Sequence, residues 1–254
     1  MKDDSRIPSG FLRPTWSRIF GAPWTVSLLV LAILAAVRYF AVLGPPWARI
    51  LFLVHCLVMW ALPFVFLTSQ GRREMGLVRR GNTRSNLALS ALAGAACGLT
   101  FFAIGMLFYG DSPNNWCVSI RDSFQLGQLL AVMPRAAAFA AITLPALILT
   151  PIGEEILFRG LIQHSFTLRW NTTVATLVNG LAFGLIHLHV HGLWHDAAGF
   201  HLRLVSGALM ILLLAGTGSA FTLCRLRSGS LFVAMVAHAA CNLAMISAIF
   251  FHYF

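Results

Sequence analysis

Three short motifs share a spacing of four residues. In "EEILFR", Glu155 stands four before Arg159 with Glu154 beside it; in "FGLIH", Phe183 stands four before His187; in "HAACN", His238 stands four before Asn242. Four residues are about one helical turn, so each pair shares a helix face. Glu155 and Arg159 can therefore form an ion pair. Glu154 is turned about 100° away from that face, which leaves it free of Arg159. Partial desolvation disfavours its charge, so Glu154→Gln should leave folding neutral or slightly improved. Taken singly, each motif has a plain structural reading: charges at a wet helix end, or His and Asn joining neighbouring helices. Together, a carboxylate, two imidazoles and an amide in one water-containing cavity form a hydrolytic site. The carboxylate is a base, one imidazole shares the water, and the remaining donors meet an oxyanion.

The elements that must hold these groups are membrane helices. Of 254 residues, 58% are hydrophobic and 10% charged, against about a quarter charged in soluble domains. Apolar runs near the ~20 residues needed to cross a bilayer occur at about 24–43, 48–68, 87–109, 136–157, 172–191, 203–223 and 230–252. A stretch near 125–135 is a candidate for an eighth, short or interfacial segment. The expected fold is all-α, a polytopic membrane helical bundle of about seven or eight transmembrane helices. A charge inside a bilayer costs at least ~2.5–3.5 kcal/mol, so adjacent glutamates there must be neutralised or used. The chain has three glutamates, and two are this pair.

The net charge of +10 follows the loops rather than a nucleic-acid surface. Lys2, Arg6, Arg13 and Arg18 precede the first run; Arg72, Arg73, Arg79, Arg80 and Arg84 separate the second and third. Arg159 and Arg169 follow the fourth, and Arg225 and Arg227 the sixth, so 13 of 18 basic residues mark one side. The positive-inside rule makes that side cytoplasmic, with the N-terminus there. The excess speaks for the lipid bilayer as partner and against nucleic acid. The first run reads as a retained anchor. Cys56, Cys97, Cys117, Cys224 and Cys241 form no C-x-x-C pair and read as small core residues. "GDSPNNWCVSIRDS" at 110–123, with Trp116, reads as a loop at the outer interface. The expected organisation is a cytoplasmic arm (1–22), N-terminal spans (23–135) and a catalytic core with the three motifs (136–254). Apart from Arg38 and His55, the intramembrane ionisable residues follow residue 130, which suggests a lipid-facing first half and a working second half.

The three motifs, in this order on separate spans, resemble the CAAX protease and bacteriocin-processing (Abi) family of intramembrane glutamic endopeptidases, whose signature is E-E-x-x-x-R, F-x-x-x-H and H-x-x-x-N/D. Gly229-Ser230-Leu231, shortly before the third motif, also matches the family's habit. The resemblance covers about 140–245. It implies that Glu154 activates water with help from His187, that His238 and Asn242 stabilise the oxyanion, and that Glu155, Arg159 and Phe183 give structural support. It implies no metal and no cofactor, a membrane-associated protein or peptide as substrate, and residence in a bacterial inner membrane. The alternative is a catalytically silent scaffold or immunity protein of the same fold that binds a membrane peptide.

Other intramembrane protease signatures do not fit. There is no H-E-x-x-H; "LVSG" at 204–207 has Leu where a rhomboid G-x-S-G needs Gly, and "FYGD" at 108–111 starts with Phe where G-x-G-D needs Gly. A polar-lined transporter is disfavoured because no internal repeat is visible. "HLHVHGLWHDAAGFH" holds His187, His189, His191, His195 and His201, and alternating histidines can bind Zn or Cu. On a helix alternate residues point about 200° apart, so they share a face only if the segment unwinds. An interfacial histidine cluster is the preferred reading of this stretch.

Overall fold

The computed structural model describes residues 10–196 and 199–254; residues 1–9 of the expected arm, Lys2 and Arg6 among them, lie outside these, as does the side chain of His195. Seven of its helices are long and apolar enough to cross a membrane, at Pro23–Leu43, Pro46–Phe66, Arg84–Tyr109, Arg135–Arg169, Thr172–His191, Leu204–Ser228 and Leu231–Tyr253. The chain is thus an all-α integral membrane protein. The stretch near 125–135 forms a short helix, α7 (Leu126–Val132), of about two turns, too short to cross a bilayer.

In order, α1 (Pro14–Phe20) leads to the first span, α2 (Pro23–Leu43), and α3 (Ile50–Phe66) carries most of the second. The short α4 (Ser69–Glu74) precedes α5 (Arg84–Tyr109), the third span. The helix α6 (Trp116–Ser123) comes before α7, and α8 (Arg135–Glu155) begins the fourth span. That span continues as a π-helix (Ile156–Ile162) and α9 (Gln163–Arg169). The fifth is α10 (Thr172–Leu185) with α11 (Leu188–His191); a hairpin of β1 (Leu193–Asp196) and β2 (Gly199–Leu202) leads to α12 (Leu204–Ser228) and α13 (Leu231–Tyr253).

The fourth span runs about three turns beyond its apolar run. The run ends where Arg159, Gln163 and His164 enter, yet Arg159 and Gln163 are fully buried. The protein interior satisfies most of their polar groups, so helix continues where hydropathy stops. Arg159 therefore points into the bundle and marks no membrane face, contrary to the charge count.

Two glycine pairs set the helix spacing. A Cβ on Gly94 or Gly98 of α5 would lie 1.8 Å from the carbonyl oxygen of Ala237 or 2.3 Å from that of Cys241. Those residues on α13 directly precede His238 and Asn242. On α10, Gly180 and Gly184 meet the Ala215 and Ile211 carbonyls of α12 in the same way. Small residues four apart let helix backbones approach, and without water to expel this packing is a main source of helix association in lipid. Gly98→Leu is expected to push α13 away from α5, lowering the folded yield of detergent-extracted protein and its melting temperature. A wild-type melting temperature would show that this close approach is dispensable.

The first half is less peripheral than expected. Phe11 and Leu12 are buried, and Leu12 bridges Leu67. The basic loop is docked onto the turn before α13: Leu231 N–H donates to the Gly76 carbonyl (2.9 Å), Ser230 Oγ to that of Val78 (3.1 Å), and Arg225 to that of Glu74 (2.8 Å). Ser230 also caps α13, accepting from Phe232 N–H. Trp116 is fully buried, its indole donating to the Phe101 carbonyl at 3.1 Å, so it packs the bundle rather than an interface with lipid headgroups. The five cysteines are free, and burial pushes the Cys117 thiol up to about 12, consistent with a filling role.

Candidate active site

The glutamate pair sits where α8 passes into the π-helix, a local widening often found at functional sites. Its seven residues, Ile156–Ile162, are all buried. Arg159 Nη1 meets Glu155 Oε1 at 3.0 Å with both side chains fully buried, the pairing expected from the sequence. The guanidinium also lies over the rings of Phe183 and Phe221, 4.3 and 5.2 Å from their centroids, and its Nε donates to the Gly218 carbonyl. Such desolvated cation–π contacts add to the pair's stability.

Glu155 also orients the third motif: its Oε1 lies 2.8 Å from His238 Nδ1. A carboxylate accepts, so Nδ1 carries the hydrogen and Nε2 is the nitrogen turned toward Glu154. Phe183 does the equivalent for His187. Its carbonyl accepts from His187 Nδ1 at 2.7 Å, which again leaves Nε2 for the site. The F-x-x-x-H spacing thus has a physical content: the carbonyl fixes the imidazole one turn later while the ring covers Arg159.

Glu154 is fully buried among these groups. Its Oε2 lies 3.7 Å from His187 Nε2 and 3.9 Å from His238 Nε2, and has no hydrogen-bond partner among the described residues. These separations are too long for direct hydrogen bonds and suit one bridging water. The sequence reading left Glu154 free, but its Oε1 accepts from Arg38 of α2, itself buried. Arg38 is the site residue that sequence reasoning missed, and it overturns the picture of a merely lipid-facing first half.

Asn242 stands beside these groups with one amide hydrogen committed, Nδ2 donating to the Ala146 carbonyl at 2.8 Å; a second hydrogen remains. A cavity of about 210 Å³ is lined by Phe183, His187, His238 and Asn242, with Phe101, Phe124, Phe221 and Met245 on its apolar side. Glu154 does not border this cavity; it lies behind the imidazoles.

The histidine stretch does unwind. Helix α10 stops at Leu185, and His187 adopts φ −95° and ψ 0° before α11 begins. His187 and His189 consequently face each other, ring centroids 6.3 Å apart and 24° from parallel. The remaining described histidines disperse: His191 lies between the Ser119 and Ser206 hydroxyls at 2.7 and 2.8 Å, and His201 stacks on Trp194 at 4.3 Å. Among the described residues, no three His, Cys, Asp or Glu side chains are grouped as a metal ion would need.

Residues 136–244 match the model of a protein family described as type II CAAX prenyl endopeptidase Rce1-like. Comparisons with curated proteins and with solved structures give no match. The matched stretch holds all three motifs, and the bundle has the membrane spans an intramembrane protease requires. Residues 136–244 are thus a domain of the CAAX protease and bacteriocin-processing family, the CAAX-type intramembrane proteases acting on membrane-associated substrates.

Proposed function

We propose that the protein is a glutamic intramembrane endopeptidase that hydrolyses a peptide bond of a membrane-associated protein or peptide without a metal. The observation that carries this reading is the position of Glu154 Oε2, within bridging distance of both imidazole Nε2 atoms, behind the cavity that the two imidazoles line. A water there donates one hydrogen to Glu154 and is held by His187. As its oxygen bonds to the scissile carbonyl carbon, Glu154 takes the proton. To donate to the oxyanion beside the second Asn242 amide hydrogen, His238 must act as an imidazolium, with one hydrogen on Nδ1 toward Glu155 and a second on Nε2. Collapse breaks the C–N bond, and Glu154 returns the proton to the leaving amine. The positive loops support a cytoplasmic N-terminus, and the family resemblance a bacterial inner membrane.

The test is cleavage of a panel of membrane-anchored peptides, a prenylated CAAX peptide among them, by protein reconstituted in liposomes. Cleavage is expected and should survive exhaustive chelation, because the base is a carboxylate. Loss on chelation with specific recovery by Zn²⁺ would replace this reading with a metal mechanism. Binding of a panel member without cleavage would favour the silent scaffold.

A further inference from the structure

We propose that Arg38 is the positioning residue of Glu154, delivered by the first membrane helix from outside the stretch matched to the family. The inference rests on the glutamic reading above. A carboxylate has two equivalent oxygens and a freely turning terminal torsion, so burial alone does not aim either at the water. Arg38 breaks that equivalence. Its Nη1 holds Oε1, which leaves Oε2 directed between His187 and His238 at 3.7 and 3.9 Å.

The surroundings of Arg38 indicate that this pair is more than a structural tie. Its Nε is buried without a hydrogen-bond partner among the described residues, as is Glu154 Oε2. A buried ion pair so incompletely satisfied contributes little to stability, and apolar side chains of similar volume commonly do better. Its orientation is nevertheless fixed. The guanidinium lies 5.4 Å from the Phe52 ring centroid on α3. One residue on, the Tyr39 hydroxyl donates to the Leu185 carbonyl at 2.7 Å, anchoring α2 where α10 gives way to His187. A second tie between α2 and the fourth span, Ser27 Oγ to Ser165 Oγ at 2.7 Å, lies nearer the start of α2 and away from the carboxylates.

The experiment compares kcat and KM per folded molecule, using the most rapidly cleaved peptide of the panel. Arg38→Met is expected to lower kcat by about a hundredfold, the order of loss for a misplaced reacting group, with KM little changed. Arg38→Lys should restore part of kcat, and added methylguanidinium should restore part of it in Arg38→Met. Ser27→Ala, which removes the other tie between the same helices, should leave kcat unchanged. A merely structural Arg38 would lower folded yield while the molecules that fold turn over normally. Folded Arg38→Met with wild-type kcat, beside an inactive Glu154→Gln, would overturn the inference and leave the glutamic reading standing. An active Glu154→Gln would remove that reading itself. Should Arg38→Met not fold, Arg38→Lys carries the decision: lowered kcat at unchanged KM supports the proposal, and wild-type kcat overturns it.

Discussion

Replacing Arg159 by Leu is expected to remove most of the folded protein from a detergent extract, and adding Glu155→Gln to bring part of it back. Both side chains are fully buried and 3.0 Å apart. Losing the guanidinium leaves the Glu155 carboxylate in the bundle with His238 Nδ1 as its remaining close partner. Stranding one member of a buried pair costs about 3–5 kcal/mol, a large share of the roughly 5–15 kcal/mol that holds a typical domain folded. The rings of Phe183 and Phe221 lose their cation as well, a further ~0.5–2 kcal/mol. Glu155→Gln cancels the charge term but not the ring contacts, so recovery should be partial, with a coupling energy of about 0.5–3 kcal/mol. Monodisperse yield and thermal unfolding in a fixed detergent measure both. Independent, additive effects of the two substitutions would show that the pair is not what holds this part of the fold.

Glu154→Gln is expected to reduce turnover by at least about 10²–10⁴-fold, the range associated with a lost general base. Its effect on folding differs from the sequence expectation of neutrality. The amide oxygen can still accept from Arg38, but the guanidinium then lacks its counter-ion inside the bundle, so the melting temperature should fall. Adding Arg38→Met should raise it again while turnover stays lost. That pattern separates the two glutamates. Stability couples Glu155 to Arg159 and Glu154 to Arg38, and turnover depends on Glu154 whichever way stability moves.

The seven spans were legible because a bilayer demands long apolar runs, and local spacing sufficed for Glu155 with Arg159 and for Phe183 with His187. What escaped sequence reading depends on groups far apart in the chain. Arg38 meets Glu154 across 116 residues, and no periodicity connects them. The available signal was charge accounting: Glu154 and Arg38 were each left without a counter-charge inside apolar runs, and isolated charges there seek each other. The π-helix was hidden because its residues read as ordinary helix, and its widening follows from packing on all sides. The glycine pairs on α5 and α10 carry the small-xxx-small pattern, yet which helix each one meets is decided by tertiary structure. Unwinding before His187 was visible only as a condition on the alternating histidines.

The most direct measurement of the central claim is single-turnover cleavage of a membrane-anchored peptide by folded, chelator-treated Glu154→Gln in liposomes, beside Glu155→Gln and wild type. Single-turnover conditions remove product release, and matching folded fractions removes stability from the comparison. The account expects no cleavage above background from Glu154→Gln and reduced but measurable cleavage from Glu155→Gln, whose residue orients His238 without touching the water. Wild-type cleavage by Glu154→Gln, or complete loss in Glu155→Gln with Glu154→Gln active, would contradict it.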